Sequence, residues 1–413
     1  MADYLDAFSK PLKAFLAAKL LAYVQASFAQ FLINVYFWRL SHDIRLLVAF
    51  NVAFAAAHLV SYVLAGRWSK ARGGLVAMRV GAVLQIAYLA LVASLGGSVL
   101  SYIAVVAVVG GVADGMYWAS DNLLRFDLTS PDNRLKFVEA GQIAKTLAGA
   151  LVPLAASLLV VAGGAGIAAG YDRVFIAAAV SSAAVFAASY LIRDGVRAAD
   201  VKLRLRSSSI RLWKDRNIRL ACYSTFLAKA AGALPVLIGL LLFVGSGTEL
   251  ALGGYQTATV LVAVAARYAF GKRFARRHYR RLMIVAGVGA FASTFIVFAS
   301  QGFWALLAYG ILASIFQAMS APQAPLALDA LTMHCADERE LAETRVEFIT
   351  LQELFDGAGR AAGFAPLLLL ASFSQFGLVA AVVAIYAVAA LASNILIAEI
   401  REPERFVPYA KIA

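Results

Sequence analysis

Long apolar runs, separated by short polar segments, set the pattern of this chain. A helix that crosses a bilayer needs about 20 mostly apolar residues. Runs of that length predict spans at 12–37, 44–65, 75–95, 99–126, 136–161, 173–192, 218–244, 250–270, 282–300, 303–328, 347–371 and 376–398. Most links between them are short, and 193–217, 271–281 and 329–346 are the longer ones. Helices that are apolar on every face have lipid as their natural solvent. The expected fold class is therefore an all-α membrane protein with twelve transmembrane helices.

Composition supports this reading. The 413 residues are 62% hydrophobic and 15% charged, with a mean hydropathy of +0.78. Soluble chains run at roughly 45–50% apolar and about 25% charged. The net charge of +13 would suit a nucleic-acid partner if it were spread over a folded surface. Instead, 28 of the 37 Lys and Arg fall in segments on one side of the predicted spans, and only Arg39, Arg45 and Arg173 fall on the other. The positive-inside bias then puts both termini in the cytoplasm, requires an even number of spans and argues against nucleic acid. The expected location is the cytoplasmic membrane. Residues Met1 to Lys13 show no cleavable signal pattern. Cys222 and Cys335 lie far apart without metal-ligand spacing and read as reduced thiols.

The basic stretch 193–217 divides the chain into an N-terminal six-helix bundle, 1–192, and a C-terminal one, 218–413. The halves echo each other. Span four ends at Asp127, a loop ends at Arg134 and span five carries Pro153; span ten ends at Asp329, a loop ends at Arg345 and span eleven carries Pro366. Parallel six-span repeats are one way in which transporters are built. The loop Gly66-Arg-Trp-Ser-Lys-Ala-Arg-Gly-Gly74 resembles the Gly-x-x-x-Asp-x-x-Gly-Arg signature of the major facilitator superfamily, with Lys70 in place of the Asp and Gly74 in place of the basic residue. Gly115 to Asn122 leading to Asp132-Asn-Arg134, and Gln352-Glu353 leading to Gly359-Arg360, resemble a prokaryotic branch of that family. The resemblance implies two six-helix bundles, a cavity lined by spans one, four, seven and ten, and transport by alternating access.

Six basic residues fall inside spans: Lys19, Arg125, Lys145, Lys229, Arg267 and Arg360. An ionisable group there costs roughly 2.5–3.5 kcal/mol on insertion scales, so it is expected to face a partner or a water-filled path. At about 1.5 Å per residue, Asp114, Lys229 and Arg360 come to lie about 17–20 Å into their spans, and Gln25 and Gln317 are also central. Gln25, Asp114, Trp118, Lys229, Gln317 and Arg360 are thus the candidates for substrate binding or coupling. Interhelical hydrogen bonds, ring packing or internal salt bridges would account for the same residues. Glu353, Asp356 and Arg360 share one helical face and join the candidate set as proton or substrate groups, or as a structural network. Asp121 and Lys145, on sequential spans, are expected to pair. Lys19 and Arg267 are expected to reach the interface by snorkelling. Asp127, Arg134, Asp329 and Arg345 are expected at an inner gate, with Arg125 beside Asp127. Pro322 and Pro325 are expected to kink span ten.

No P-loop, His-Glu-x-x-His or serine-elbow motif occurs, and His42, His58, His278 and His334 are dispersed. Neither an enzyme nor a metal or organic cofactor is expected. The leading expectation is a monomeric secondary transporter for a small solute, with an anionic or an amphipathic one as the candidate classes, coupled to protons through Asp114, Glu353 or Asp356. An exporter or flippase of lipids or amphipathic drugs, and a non-transporting membrane receptor, are the alternatives.

Overall fold

The computed structural model describes residues 8–163, 167–192, 213–271, 279–320, 345–370 and 376–400. Among them every regular element is helical. In chain order these are α1 (Lys10–Ser41), α2 (Ile44–Arg72), α3 (Gly74–Leu95), α4 (Ile103–Leu128), α5 (Pro131–Val161), α6 (Ile167–Ala188), α7 (Arg216–Ala230), α8 (Leu234–Ser246), α9 (Glu249–Gly271), α10 (Tyr279–Ser293), α11 (Phe295–Ala299), α12 (Phe303–Ser320), α13 (Arg345–Phe364) and α14 (Phe376–Ala398).

Nine helical stretches among the described residues are long and apolar enough to cross a membrane. One of them, Gly74–Arg125, is 52 residues long and joins the third and fourth expected spans through a 3-10 turn at Gly96–Tyr102. The shorter apolar stretch Phe303–Met319 and the charged α13 stand where spans ten and eleven are expected. The elements are consistent with twelve spans. Pro322, Pro325 and Asp329 lie outside the described residues. Large apolar side chains such as Val60, Leu151 and Val180 stand well over half exposed along the helices. Water would penalise such surfaces and lipid does not. The chain is a multi-pass membrane protein.

Local signals explain several helix ends. Ser130 and Asn133 form a capping box ahead of Pro131, which opens α5. Asp215 caps α7, its carboxylate accepting from the backbone N–H groups of Asn217 and Ile218 at 2.6 and 3.3 Å. Replacing Asp215 by Ala is expected to cost about 1 kcal/mol, read as a lower midpoint in thermal unfolding. An unchanged midpoint would show that the cap contributes nothing.

The chain forms two compact units, Met1–Val201 with Ser246–Ala258 and Lys202–Gly245 with Thr259–Ala413. In the first, α4 packs against α2 and α3, and α1 against α5 and α6. Its core includes Leu12, Phe15, Met78, Tyr117, Leu124 and Phe137, with the Phe15 and Phe137 rings stacked at 5.3 Å. In the second, α13 and α14 flank α7, and α10 packs against α12 and α14. Cys222 is a buried free thiol there, in a cluster with Ile218 and Leu351.

Candidate functional site

In the first unit the site begins with a backbone contact. A Cβ added at Gly111 of α4 would fall on the carbonyl oxygen of Phe54 in α2, and one at Gly115 would fall on the Ser61 hydroxyl and the His58 carbonyl. Small residues four apart let two helices approach this closely. The approach delivers Asp114, which lies between the two glycines, to His58. Their Oδ2 and Nδ1 atoms are 2.8 Å apart, and both residues are buried. One turn further along α4, the Trp118 indole N–H donates to the other Asp114 oxygen at 2.9 Å. Tyr88 of α3 lies against Gly110, within electrostatic reach of Asp114. The His58 ring stacks on Tyr62, whose hydroxyl accepts from the Asn122 amide at 2.8 Å. Asp114 was expected mid-span, with an internal salt bridge as one account of it; the partner shown is the His58 imidazole.

A second charged pair lies two turns along α4. The Lys19 ammonium bonds to Asp121, both being buried. It also lies 5.7 to 5.9 Å from the ring centroids of Phe15, Tyr23 and Trp118. The other oxygen of Asp121 and the Tyr117 hydroxyl are buried without a hydrogen-bond partner among the described residues. This corrects two expectations. Lys19 does not snorkel to an interface, and Asp121 pairs with Lys19 rather than with Lys145. The physical reason is that sequential helices need not be spatial neighbours. α5 packs chiefly on α1 and α6. Gly141 faces the Lys19 stem, where an added Cβ would meet Lys19 Cε at 3.4 Å, while Lys145 is exposed. The amides of Gln25 and Gln85 are buried near each other at 3.4 Å.

At the other end of α1, Arg39 pairs with Glu249, the first residue of α9. Tyr171 of α6 donates to the same carboxylate at 2.8 Å, and its ring stacks on Tyr36 at 4.7 Å. Thr257 and Gly253 continue the seam, Thr257 donating to the Ala150 carbonyl at 2.8 Å. Glu249 and Tyr171 were absent from the candidate set.

The second unit repeats the principle of glycine contact and charge. Added Cβ atoms at Gly359 and Gly363 of α13 would fall on the carbonyl oxygens of Phe226 and Ala230 in α7. Lys229 thereby meets Asp356 at 3.0 Å. Arg360 bonds to Asp356 at 2.8 Å, one turn away on α13, and reaches Glu353 at 3.5 Å. The four groups expected from the sequence thus form one network. The cations are outermost, with the Lys229 and Arg360 side chains 41% and 31% exposed and both carboxylates 12%. α7 passes into a 3-10 turn at Ala231, two residues after Lys229, and α13 does so at Ala365 beside Pro366. Tyr386 of α14 donates its hydroxyl to the Gly363 carbonyl at 2.6 Å.

Gln317 is exposed on α12, and Asp127 is exposed at the end of α4. Arg134 is buried at the start of α5, where it donates to the Thr129 hydroxyl at 3.0 Å. Asp329 and the Arg345 side chain lie outside the described residues.

No family model matches the chain. It is 25% identical over 332 residues to the uncharacterized protein YqgE of Bacillus subtilis (strain 168), covering 79% of this chain and 75% of that one. Among solved structures it resembles a D-xylose-proton symporter, at 15% identity and a TM-score of 0.68, over 97% of this chain and 98% of that one. It also resembles a bacterial homologue of the iron transporter ferroportin in an inward-facing state, at 14% identity and a TM-score of 0.69, over 94% and 97% of the two chains. The likeness extends over nearly the whole length of both structures, and the chain has the major facilitator fold.

Proposed function

We propose that this protein is a secondary active transporter that moves a small solute bearing an anionic group, by alternating access and with proton coupling, across the cytoplasmic membrane. The observation that carries the reading is the network on α7 and α13. Two cations stand half exposed in the interior of spans, each resting on a carboxylate. A charge placed there at the cost of desolvation is a functional-site hypothesis by default, and outermost cations favour an anionic ligand. Fold likeness to a sugar-proton symporter and to a ferroportin homologue supports transport as the activity class. Asp114, Glu353 and Asp356 are the carboxylates available for protons. Both termini lie on the cytoplasmic side in this reading, as the loop charges require.

A thermal-stability screen of the purified protein against sugars, organic acids, amphipathic drugs and lipids tests the ligand class. Organic acids are expected to raise the midpoint, as any ligand that binds the native state must, and Lys229→Met is expected to remove that rise. Stabilisation by neutral sugars alone would rule out the anionic class. Uptake of the stabilising acid into proteoliposomes under an imposed pH gradient tests the coupling. Asp114→Asn is expected to abolish accumulation against the solute gradient, and unchanged accumulation would remove Asp114 from the mechanism.

A further inference from the structure

We propose that His58 and Asp114 together form the proton-binding site of this protein, with Trp118 as its built-in reporter; as a coupling site it rests on the transport reading above, but proton binding itself does not. The pair is assembled by the touching backbones of α2 and α4, not by long flexible side chains, and both members are buried. Both Asp114 oxygens are engaged, one by the imidazole at 2.8 Å and one by the Trp118 N–H at 2.9 Å. An imidazole is the side chain whose charge ordinarily changes between about pH 5 and 8. With a neutral imidazole the pair carries a net charge of −1, and one added proton brings it to zero.

The other groups shown against the pair hold their charge over that range. Trp118 comes from α4, Tyr88 from α3, and Ser61 and Tyr62 from α2. The Lys19–Asp121 pair lies seven residues along α4, about 10 Å away, and is neutral in sum. Gain or loss of a proton at His58–Asp114 therefore changes the net buried charge of this part of the first unit. A net charge costs more in a dry setting than in a wet one. Any conformational change that alters water access to the pair must then alter its proton affinity, and the proton must in turn bias the conformational change. This is the thermodynamic requirement for coupling, met at one residue pair.

Selective 15N-histidine labelling of the full-length protein in lipid nanodiscs tests the assignment, because the chain has only His42, His58, His278 and His334. His58→Asn identifies the signal by its disappearance; should that variant not fold, replacing the other three histidines leaves His58 as the remaining one. The His58 signal is expected to titrate between about pH 5 and 9, and its midpoint is expected to move by about one unit or more in Asp114→Asn. Tryptophan fluorescence is expected to follow the same curve and to lose the transition in Trp118→Phe. A His58 signal that does not titrate, or that has the same midpoint in Asp114→Asn, overturns the proposal. The two readings fail separately. Titration linked to Asp114 in a protein that moves no solute under a pH gradient refutes transport and leaves the proton site standing. Gradient-driven uptake with a silent His58 refutes the proton site alone.

Discussion

Replacing Lys19 by Met is expected to destabilise the first unit on the order of 3–5 kcal/mol, because it strands Asp121 as a charge in a buried setting. The cost comes from the carboxylate left behind rather than from the bond removed. One Asp121 oxygen already lacks a hydrogen-bond partner among the described residues, so little remains to stabilise the ion once the ammonium is gone. The same reasoning predicts recovery. In the double variant Lys19→Met with Asp121→Asn no charge remains, and most of the loss should return, since a buried ion pair and a neutral replacement are often close in energy. Thermal unfolding of the wild type, both single variants and the double variant gives the coupling directly. A loss in the double variant equal to the sum of the two single losses would mean that the pair is not energetically linked. Loss of the aromatic contacts around the ammonium is expected to contribute to any destabilisation that persists in the double variant.

Replacing Gly359 by Leu is expected to separate α13 from α7 and to prevent accumulation of folded protein. Overpacking a well-filled core ordinarily costs about 1–3 kcal/mol and sometimes more. Here the obstacle is backbone, since even a Cβ would lie on the Phe226 carbonyl oxygen, which cannot rotate away. Separation would also part Lys229 from Asp356, which would keep only its Arg360 partner on α13. Gly232 provides a matched control, because an added Cβ there meets nothing within 4 Å. Monodisperse yield on size exclusion should collapse for Gly359→Leu and hold for Gly232→Ala. Normal yield of the Gly359 variant would show that the helices do not need their close contact.

Most of the architecture was legible from the sequence because a bilayer imposes one simple constraint, apolar length, that every span must meet. The network on α13 was legible for a related reason. Asp356 and Arg360 are one turn apart on a single helix, Glu353 is two turns from Arg360, and helical periodicity alone brings them together. Lys19–Asp121 and His58–Asp114 were not legible. Their members lie 102 and 56 residues apart, and their meeting depends on which helices are neighbours in space. Treating consecutive helices as neighbours favoured Lys145 for Asp121, whereas α5 packs on α1. A usable signal for His58 was present but unused: an ionisable side chain inside an apolar run, four residues after Phe54, facing a Gly-x3-Gly of matching spacing in α4. Glu249 was missed because it opens its helix, where an acidic residue is ordinary in terms of the helix dipole alone.

The glycine contacts of α13 have a mechanical consequence. Two helices whose backbones touch have no side-chain layer to compress or slide upon, so α7 and α13 behave as one stiff element at Gly359 and Gly363. The backbone spacing between Lys229 and Asp356 is then expected to stay fixed as the helices move. An interaction that is the same in every conformation cancels from the balance between conformations, however strong it is. The ion pair is therefore expected to hold the element together, and to bear on the conformational balance only when a proton or a ligand changes it. A ligand acting through this element would enter from its exposed side, where Lys229 and Arg360 stand in the proposed site.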